Sequence, residues 1–224
     1  MKRYLPFLII SAVLILALGS GALFYRYRSQ PPPRPAYGKA GAEPPHLRGS
    51  PRASVILEEF GDFQCFPCSV LWTTLKKVEP DYGKRLAVIF REHPLPMHPY
   101  ALDAARAAEA AGLQGRFWEM YDLLYQNHAA WSKGPFVRPS FRQYAATLGL
   151  DLARFDSDMD GSEVTKRIAA DQVRGDSLGV DRTPIIFLNG ERLAANARSV
   201  DGLHAAIDAA LKPKPRSPTP GKSP

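Results

Sequence analysis

Two short apolar runs separated by a helical pattern begin the part of the chain that is expected to fold. Residues 54–60 (SVILEEF) and 86–92 (LAVIFRE) are short and largely apolar, which predicts two strands. Between them, residues 66–83 carry apolar side chains three and four positions apart, which predicts a helix. A strand, a helix and a strand in this order are typical of a parallel βαβ unit.

The pattern becomes helical after the second strand. Residues from about 98 to 178 are rich in helix formers and helix end signals, which predicts a helical block. Residues 183–193 (TPIIFLNGERL) then predict a β-hairpin, because Asn-Gly is a favoured two-residue turn. A last helix is expected from Ser199, a good N-cap residue, to Leu211. The predicted folded unit therefore spans residues 53–211.

The N-terminal segment has the character of a targeting or spanning sequence. Lys2 and Arg3 precede an apolar stretch without charges from Tyr4 to Tyr25. As a helix this stretch would be about 33 Å long, close to the ~30 Å of a bilayer core. Residues 1–28 are therefore expected to be a membrane anchor, with a cleaved signal peptide as the alternative. Both interpretations place the folded unit outside the cytoplasm, where cysteine pairs can be oxidised.

Two polar segments flank the predicted folded unit. Residues 29–52 are rich in proline, glycine and charge and lack apolar periodicity, which predicts a linker. Residues 212–224 predict a disordered basic tail. The formal net charge of +7 owes much to the basic residues of these terminal segments. The sequence shows no basic stripe interleaved with aromatic residues, so nucleic-acid binding is not predicted.

The only two cysteines of the chain lie between the first strand and the helix, in Cys65-Phe66-Pro67-Cys68. Unpaired N–H groups and the helix dipole stabilise a thiolate at a helix N-terminus. Cys65 is therefore predicted to be the more exposed, nucleophilic cysteine with a lowered pKa. Cys68, one turn further, would resolve a mixed disulfide by attacking the Cys65 sulfur. A structural bridge and a metal site are the alternatives for this spacing.

The order of elements, together with Glu59-Phe60, Cys65-x-x-Cys68 and Thr183-Pro184, resembles the thioredoxin superfamily. The large helical insert is similar to the DsbA-like branch of bacterial thiol-disulfide oxidoreductases. This resemblance implies an α/β thioredoxin fold with a large helical insertion between its βαβ and ββα halves. It also implies that Pro184 is cis beside the cysteines and that the Thr183 backbone pairs with an extended substrate strand.

Glu59 lies six residues before Cys65, where the family carries a buried carboxylate beneath the active site. The resemblance implies that Glu59 exchanges a proton with Cys68, since burial would raise its pKa. The neighbouring Glu58 is expected to point to the other side of the strand, into solvent.

The dipeptide between the cysteines departs from the DsbA pattern. Strongly oxidising members have a histidine before the second cysteine, whereas Pro67 occupies this position here, as in reducing thioredoxins. Extracytoplasmic placement favours an oxidase or isomerase, and the proline favours a weaker oxidant. Phe66 and Pro67 are expected to contact the substrate together with Thr183 and Pro184. Phe63 is expected either to join Phe66 in an apolar surface for unfolded clients or to be buried.

The resemblance also implies the partners. The substrates would be thiol-containing secreted proteins, and a membrane redox partner would regenerate the cysteine pair. No organic cofactor is expected, because the pair itself carries two electrons. The expected location is the periplasmic face of a bacterial inner membrane, reached through residues 4–25. A copper-binding or client-binding assembly factor is the alternative, with His93 and His98 as the obvious additional ligands, although His98 is more simply a capping or packing residue.

Overall fold

The computed structural model describes residues 40–212. The predicted anchor over residues 1–28 and almost all of the predicted tail over 212–224 lie outside the described residues. Within the described range, no helix combines the length and the apolar character that crossing a membrane requires.

In this range, five strands form one mixed sheet in the order β1-β3-β2-β4-β5. The strands are β1 His46–Gly49, β2 Val55–Gly61, β3 Leu86–Glu92, β4 Ile185–Leu188 and β5 Glu191–Arg192. β2 and β3 are parallel, whereas β1 is antiparallel to β3 and β4 is antiparallel to β2. A parallel pair needs a crossover connection, and helix α1 (Phe66–Tyr82) provides it, as the sequence predicts.

Six helices lie between β3 and β4 in the described residues. They are α2 Ala101–Gly112, α3 Phe117–Gln126, α4 His128–Trp131, α5 Val137–Thr147, α6 Leu152–Met159 and α7 Ser162–Ser177. The closing helix α8 spans Val200–Leu211, and the Ser199 hydroxyl accepts the backbone N–H of Gly202 as its N-cap. This order confirms the predicted fold class, in which a helical insertion separates a βαβ half from a ββα half.

The two faces of the sheet pack against different helices. Successive residues of a strand point to opposite faces. On one face of β2, Val55 and Leu57 are buried in a cluster with apolar residues of α1 and α8. On the other face, Phe60 packs against Phe187 of β4, with ring centroids 5.8 Å apart. A separate core fills the helical insert and reaches the sheet at Phe90 of β3.

The prediction of a linker over residues 29–52 is wrong for its last part, because His46–Gly49 form the edge strand β1. This short segment has no alternation of apolar and polar residues that would mark a strand. Side-chain contacts hold it instead. The ring of His46 stacks on Phe117 with centroids 3.5 Å apart, and its Nε2 lies 2.9 Å from Glu109. Arg48 forms a bidentate pair with Glu79.

The expectation that Glu58 faces solvent is also wrong. Glu58 is only 7% exposed, because α7 covers this face of the sheet. Arg91 of β3 donates to its Oε1 at 2.8 Å, and Arg174 of α7 donates to both carboxylate oxygens at 2.7 Å. Burial opposes ionisation of the carboxyl, but these hydrogen bonds outweigh it and hold the pKa of Glu58 below its ordinary value.

Glu92, the last residue of β3, is buried, and neither of its carboxyl oxygens has a hydrogen-bond partner among the described residues. Burial raises the pKa of Glu92 well above its ordinary value of 4.5, and the charges of Glu109 and Asp171 raise it further. The folded protein therefore keeps the Glu92 proton at a pH where the unfolded chain has already lost it.

We expect Glu92→Gln to become increasingly stabilising, relative to the wild type, as the pH rises above 4.5. Between the unfolded and folded pKa values of Glu92, the wild type loses up to about 1.4 kcal/mol of unfolding free energy per pH unit through this group. Urea unfolding of both proteins between about pH 4 and pH 8 measures the difference. A difference that stays constant over this range would contradict the assignment of a neutral Glu92.

Candidate active site

Both cysteines lie where β2 gives way to α1. Cys65 is the N-cap of α1 and has extended backbone dihedrals, and Pro67 lies in the first turn. The Cys65 N–H donates to the carbonyl of Asp62 at 3.1 Å, which fixes the loop before the helix. Both cysteines are free thiols, with Cys65 5% exposed and Cys68 fully buried. Cys65 is thus the more accessible sulfur, as expected, although only a small part of it reaches the surface.

The loop before β4 lies directly against Cys65. The Thr183-Pro184 peptide bond is cis, as the resemblance implies. The Cys65 thiol donates to the Thr183 carbonyl at 3.4 Å. The buried Thr183 hydroxyl has no other partner among residues 40–212, which leaves it available to the Cys65 sulfur. The structure therefore brings Thr183 and Pro184 to the cysteines, and their contact with substrate stays a prediction.

The surroundings of Cys65 favour its thiolate. The Cys68 thiol donates to the Cys65 sulfur and, against the effect of burial, lowers the pKa of Cys65 to about 6. The Thr183 hydroxyl and the backbone N–H of Cys68 lower it further. The helix N-terminus therefore contributes, as the sequence predicts, but the second cysteine makes the larger contribution. At neutral pH most of Cys65 is ionised.

Cys68 has the opposite electrostatic character. Burial raises its pKa well above the ordinary value, and the hydrogen bond to Cys65 raises it further. Charges on Cys65 and Glu59 also disfavour a second thiolate at this position. One cysteine is therefore prepared to attack, while the other stays protonated until a proton acceptor is available.

Glu59 of β2 is fully buried on the face of the sheet that carries α1. Burial raises its pKa to about 8, while a hydrogen bond from the Tyr121 hydroxyl to Oε2 at 3.3 Å opposes this shift. The other carboxyl oxygen, Oε1, has no hydrogen-bond partner in the part of the chain that the structure describes. The predicted burial of Glu59 is therefore present, and a group that titrates near neutral pH lies within electrostatic range of both cysteines.

The helical insert holds the loop that carries Cys65. The Asp62 carboxylate is buried, accepts the backbone N–H groups of Gln64 and Leu95, and lies 2.7 Å from Nδ1 of His98. His98 is thus a packing partner of the active-site loop, as expected. The negative charge of Asp62 opposes ionisation of Cys65.

Gln64, the residue before Cys65, is also bound to the insert. Its side chain accepts the backbone N–H of Tyr100 at 2.7 Å and donates to the Ser132 carbonyl at 2.8 Å. Nε2 of His128 lies 2.8 Å from the Gln64 carbonyl oxygen. The insertion therefore positions the nucleophile as well as adding a core of its own.

An apolar groove lies beside the cysteines. It is lined by Phe66, Pro67, Val70, Leu71, Pro184, Ala195 and Arg198. Phe66 is 68% exposed, which suits the predicted role in client binding. Phe63 does not share this role, because it is fully buried against Phe90 and Tyr125, with ring centroids 5.1 and 5.0 Å away. Its position in the middle of the insert core settles the alternative in favour of packing.

The additional ligands considered for a copper site do not gather at the cysteines. His98 pairs with Asp62, and His93 is buried edge-on against Phe60 with centroids 6.3 Å apart. Within residues 40–212, no group of three or more His, Cys, Asp or Glu side chains could hold a metal ion.

Comparison with known families decides the classification. The family model described as thioredoxin matches residues 42–209, which cover the sheet, the cysteine pair and the helical insert. The chain belongs to the thioredoxin family. This assignment agrees with the position of Cys65 at the N-terminus of α1 and of the cis Thr183-Pro184 bond beside it.

Solved structures show that this thioredoxin-family chain has the fold of the DsbA-like branch. The thiol-disulfide exchange protein α-DsbA2 from Wolbachia pipientis superposes with a TM-score of 0.63 at 21% identity, covering 73% of this chain and 85% of that chain. BdbD from Bacillus subtilis gives a TM-score of 0.65 at 18% identity, covering 78% and 98%. At these identities the likeness concerns the fold.

Curated relatives of this thioredoxin-family chain are larger proteins. A Na(+)/H(+) antiporter NhaA 1 from Mycolicibacterium gilvum is 38% identical over 191 residues, covering 81% of this chain and 30% of the relative. A protein of the same name from Salinispora arenicola is 37% identical, covering 74% and 24%. The chain thus spans less than a third of the length of these relatives, whose names describe the whole proteins.

Sequence reasoning missed three residues of the site. Tyr121 lies at helical spacing with other aromatic residues, a pattern that indicates core packing alone, yet its hydroxyl donates to Glu59. Asp62 follows β2 directly, and the sequence gives no sign that its carboxylate is buried. Arg198 is more than a hundred residues from the cysteines in sequence, and only the fold brings it to the groove.

Proposed function

We propose that the protein exchanges disulfides with exported proteins through Cys65 and Cys68. The observation that carries this proposal is the opposite shift of the two thiols: the pKa of Cys65 falls to about 6, whereas that of Cys68 rises well above its ordinary value. A structural bridge needs no such asymmetry. A nucleophile and a resolving thiol do, because each sulfur performs a different step.

In the oxidising direction, a client thiolate attacks the Cys65 sulfur of the Cys65–Cys68 disulfide. The Cys65–Cys68 bond breaks, a mixed disulfide forms, and Cys68 leaves as a thiolate that takes up a proton. A second client thiolate then attacks the client sulfur of the mixed disulfide and releases the Cys65 thiolate, which is a good leaving group because of its low pKa. The client loses two electrons and the cysteine pair gains them.

Glu59 is proposed to move the proton of Cys68. With a pKa of about 8, Glu59 is mostly protonated at neutral pH and still reaches the carboxylate form readily. Its Oε1 has no hydrogen-bond partner within residues 40–212, which supports a role in exchanging a proton when Cys68 attacks or leaves. In the reverse direction, ionised Glu59 accepts the Cys68 proton as this thiol resolves the mixed disulfide.

Clients are proposed to bind in the apolar groove, with an extended segment beside Thr183 and Pro184. The exposed ring of Phe66 and the apolar lining favour unfolded or partly folded chains. Residues 4–25 are proposed to anchor the domain at the extracytoplasmic face of a membrane, as the apolar N-terminal sequence suggests. A membrane redox partner would then reset the cysteine pair after each turnover.

The proposed direction is oxidation or isomerisation. A lowered pKa of Cys65 stabilises the reduced pair and so raises the reduction potential, although less than in the strongest oxidants of this family. Equilibration of the full chain with glutathione buffers, read by thiol alkylation, measures this potential. A potential above about −200 mV supports an oxidase or isomerase. A potential near −270 mV would instead indicate a reductase.

The proposed activity itself is tested with a reduced client that needs disulfides to become active. We expect the oxidised protein to accelerate recovery of the client, and the same protein with both thiols alkylated to leave it at the uncatalysed rate. Equal recovery with both preparations would overturn the proposed function.

A further inference from the structure

We propose that Arg198 makes the groove selective for client segments that carry an acidic side chain close to the reacting cysteine. This inference rests on the proposed function, since it concerns the clients of the same site. Arg198 contributes the one charged side chain among the seven described residues that line the groove. The other six are apolar, so its guanidinium is the feature by which the groove can distinguish two equally apolar segments.

The guanidinium of Arg198 is held at the cis-proline loop that contacts Cys65. Its Nη1 donates to the carbonyl of Pro184 at 2.9 Å. Pro184 directly follows Thr183, whose carbonyl accepts the Cys65 thiol at 3.4 Å. The charge is therefore held against the same two-residue loop that contacts the nucleophile. A client that presents a cysteine to Cys65 places its neighbouring side chains within reach of this guanidinium.

The guanidinium also has unused capacity for an anion. No carboxylate among residues 40–212 lies within salt-bridge distance of Arg198, in contrast to Arg91, which pairs with both Glu58 and Asp171. Arginine presents five N–H donors, and within residues 40–212 only the bond from Nη1 to the Pro184 carbonyl is made. The remaining donors match a client carboxylate, which arginine binds with two parallel hydrogen bonds.

Local structure keeps the side chain in place. Arg198 ends the 3₁₀ turn Ala195–Arg198, and the following Ser199 caps α8. The side chain is partly buried, so its pairing with a client is less screened by water than a pairing at a fully exposed site. Compared with a neutral residue at the same position, an acidic client residue is expected to raise the rate of mixed-disulfide formation by about three- to tenfold, as for a partly exposed ion pair.

The test uses three peptides that share one cysteine and the same apolar residues and differ in one neighbour of the cysteine, which is Glu, Gln or Lys. The second-order rate of reaction with the oxidised full-length protein is measured for each. For the wild type we expect Glu to react fastest and Lys slowest. We expect Arg198→Gln to react equally fast with the three peptides. Arg198→Lys should keep the wild-type order of rates, and Arg198→Glu should react fastest with the Lys peptide and slowest with the Glu peptide.

Arg52→Gln is the matched control, because Arg52 is exposed between β1 and β2 and is not among the residues that line the groove. It removes the same charge from the basic protein, so a general attraction for acidic peptides would weaken equally in this variant. We expect it to keep the wild-type order. The wild-type ratio of Glu to Lys rates should also fall as salt rises, a measurement that needs no variant.

Equal rates for the three peptides with the wild type would overturn this inference while leaving the proposed function intact. Equal losses of discrimination in Arg198→Gln and Arg52→Gln would also overturn it, because the net charge would then be the cause. If none of the peptides reacted, the proposed function would fail and the inference with it.

Discussion

Replacing Cys65 with serine is expected to reduce disulfide exchange to the uncatalysed background. A hydroxyl cannot form a disulfide, and Cys68 is fully buried with a raised pKa, so it cannot take over the attack. Cys68→Ser is expected to stop the reaction at a later step, after the attack by Cys65. The variant retains the nucleophile but lacks the resolving thiol, so the mixed disulfide that Cys65 forms by attacking a client disulfide should accumulate.

Non-reducing electrophoresis with mass spectrometry of the linked peptides distinguishes the two variants. Adducts should appear with Cys68→Ser, disappear on reduction and be absent with Cys65→Ser. Thermal melting of both reduced variants controls for loss of the fold. Adducts that form through Cys68 in the Cys65→Ser variant would reverse the assignment of nucleophile and resolving thiol.

Replacing Glu59 with glutamine is expected to slow resolution of the mixed disulfide by about 100-fold or more, the usual contribution of a general acid or base. In the wild type, resolution should accelerate as the pH rises towards about 8, where Glu59 becomes a carboxylate that can accept the Cys68 proton. The variant should lose this part of the pH profile. Attack by Cys65 should keep its own dependence, centred near its pKa of about 6.

Glu163→Gln provides a matched control for this experiment. Glu163 lies exposed in the first turn of α7 and is not among the groups that shift the pKa of either cysteine, so the same chemical change there should leave the profile intact. Single-turnover measurements separate attack from resolution. If the pH profiles of Glu59→Gln and the wild type coincide, proton transfer does not pass through Glu59.

Local patterns explain why much of this fold could be predicted. A short, largely apolar run predicts a strand over residues 86–92, and β3 has the same bounds. Asn189-Gly190 fixed the hairpin because both residues adopt positive φ, which suits a tight turn. The position of the cysteine pair between a predicted strand and a predicted helix places it at a helix N-terminus, where the structure has it. These features depend on residues that are close together in the sequence.

What could not be predicted depends on distant partners. Glu58 is buried because α7 covers its face of the sheet and Arg174, more than a hundred residues later, binds its carboxylate. β1 forms although it is polar, because the His46 ring stacks on Phe117 and lies within hydrogen-bond distance of Glu109 in the insert. Arg198 reaches the groove by the same kind of long-range placement. A sequence pattern records which side chains are apolar, but it does not record which charged groups meet after folding.

Titration of Cys65 in the reduced protein is the most direct test of the central claim, that its surroundings make this sulfur a thiolate at neutral pH. Thiolate absorbance or the rate of alkylation is followed from about pH 4 to pH 10. The structure predicts a transition at about 6 for Cys65, with Cys68 still protonated. A single transition near 9.0, the ordinary value for a thiol, would contradict the account.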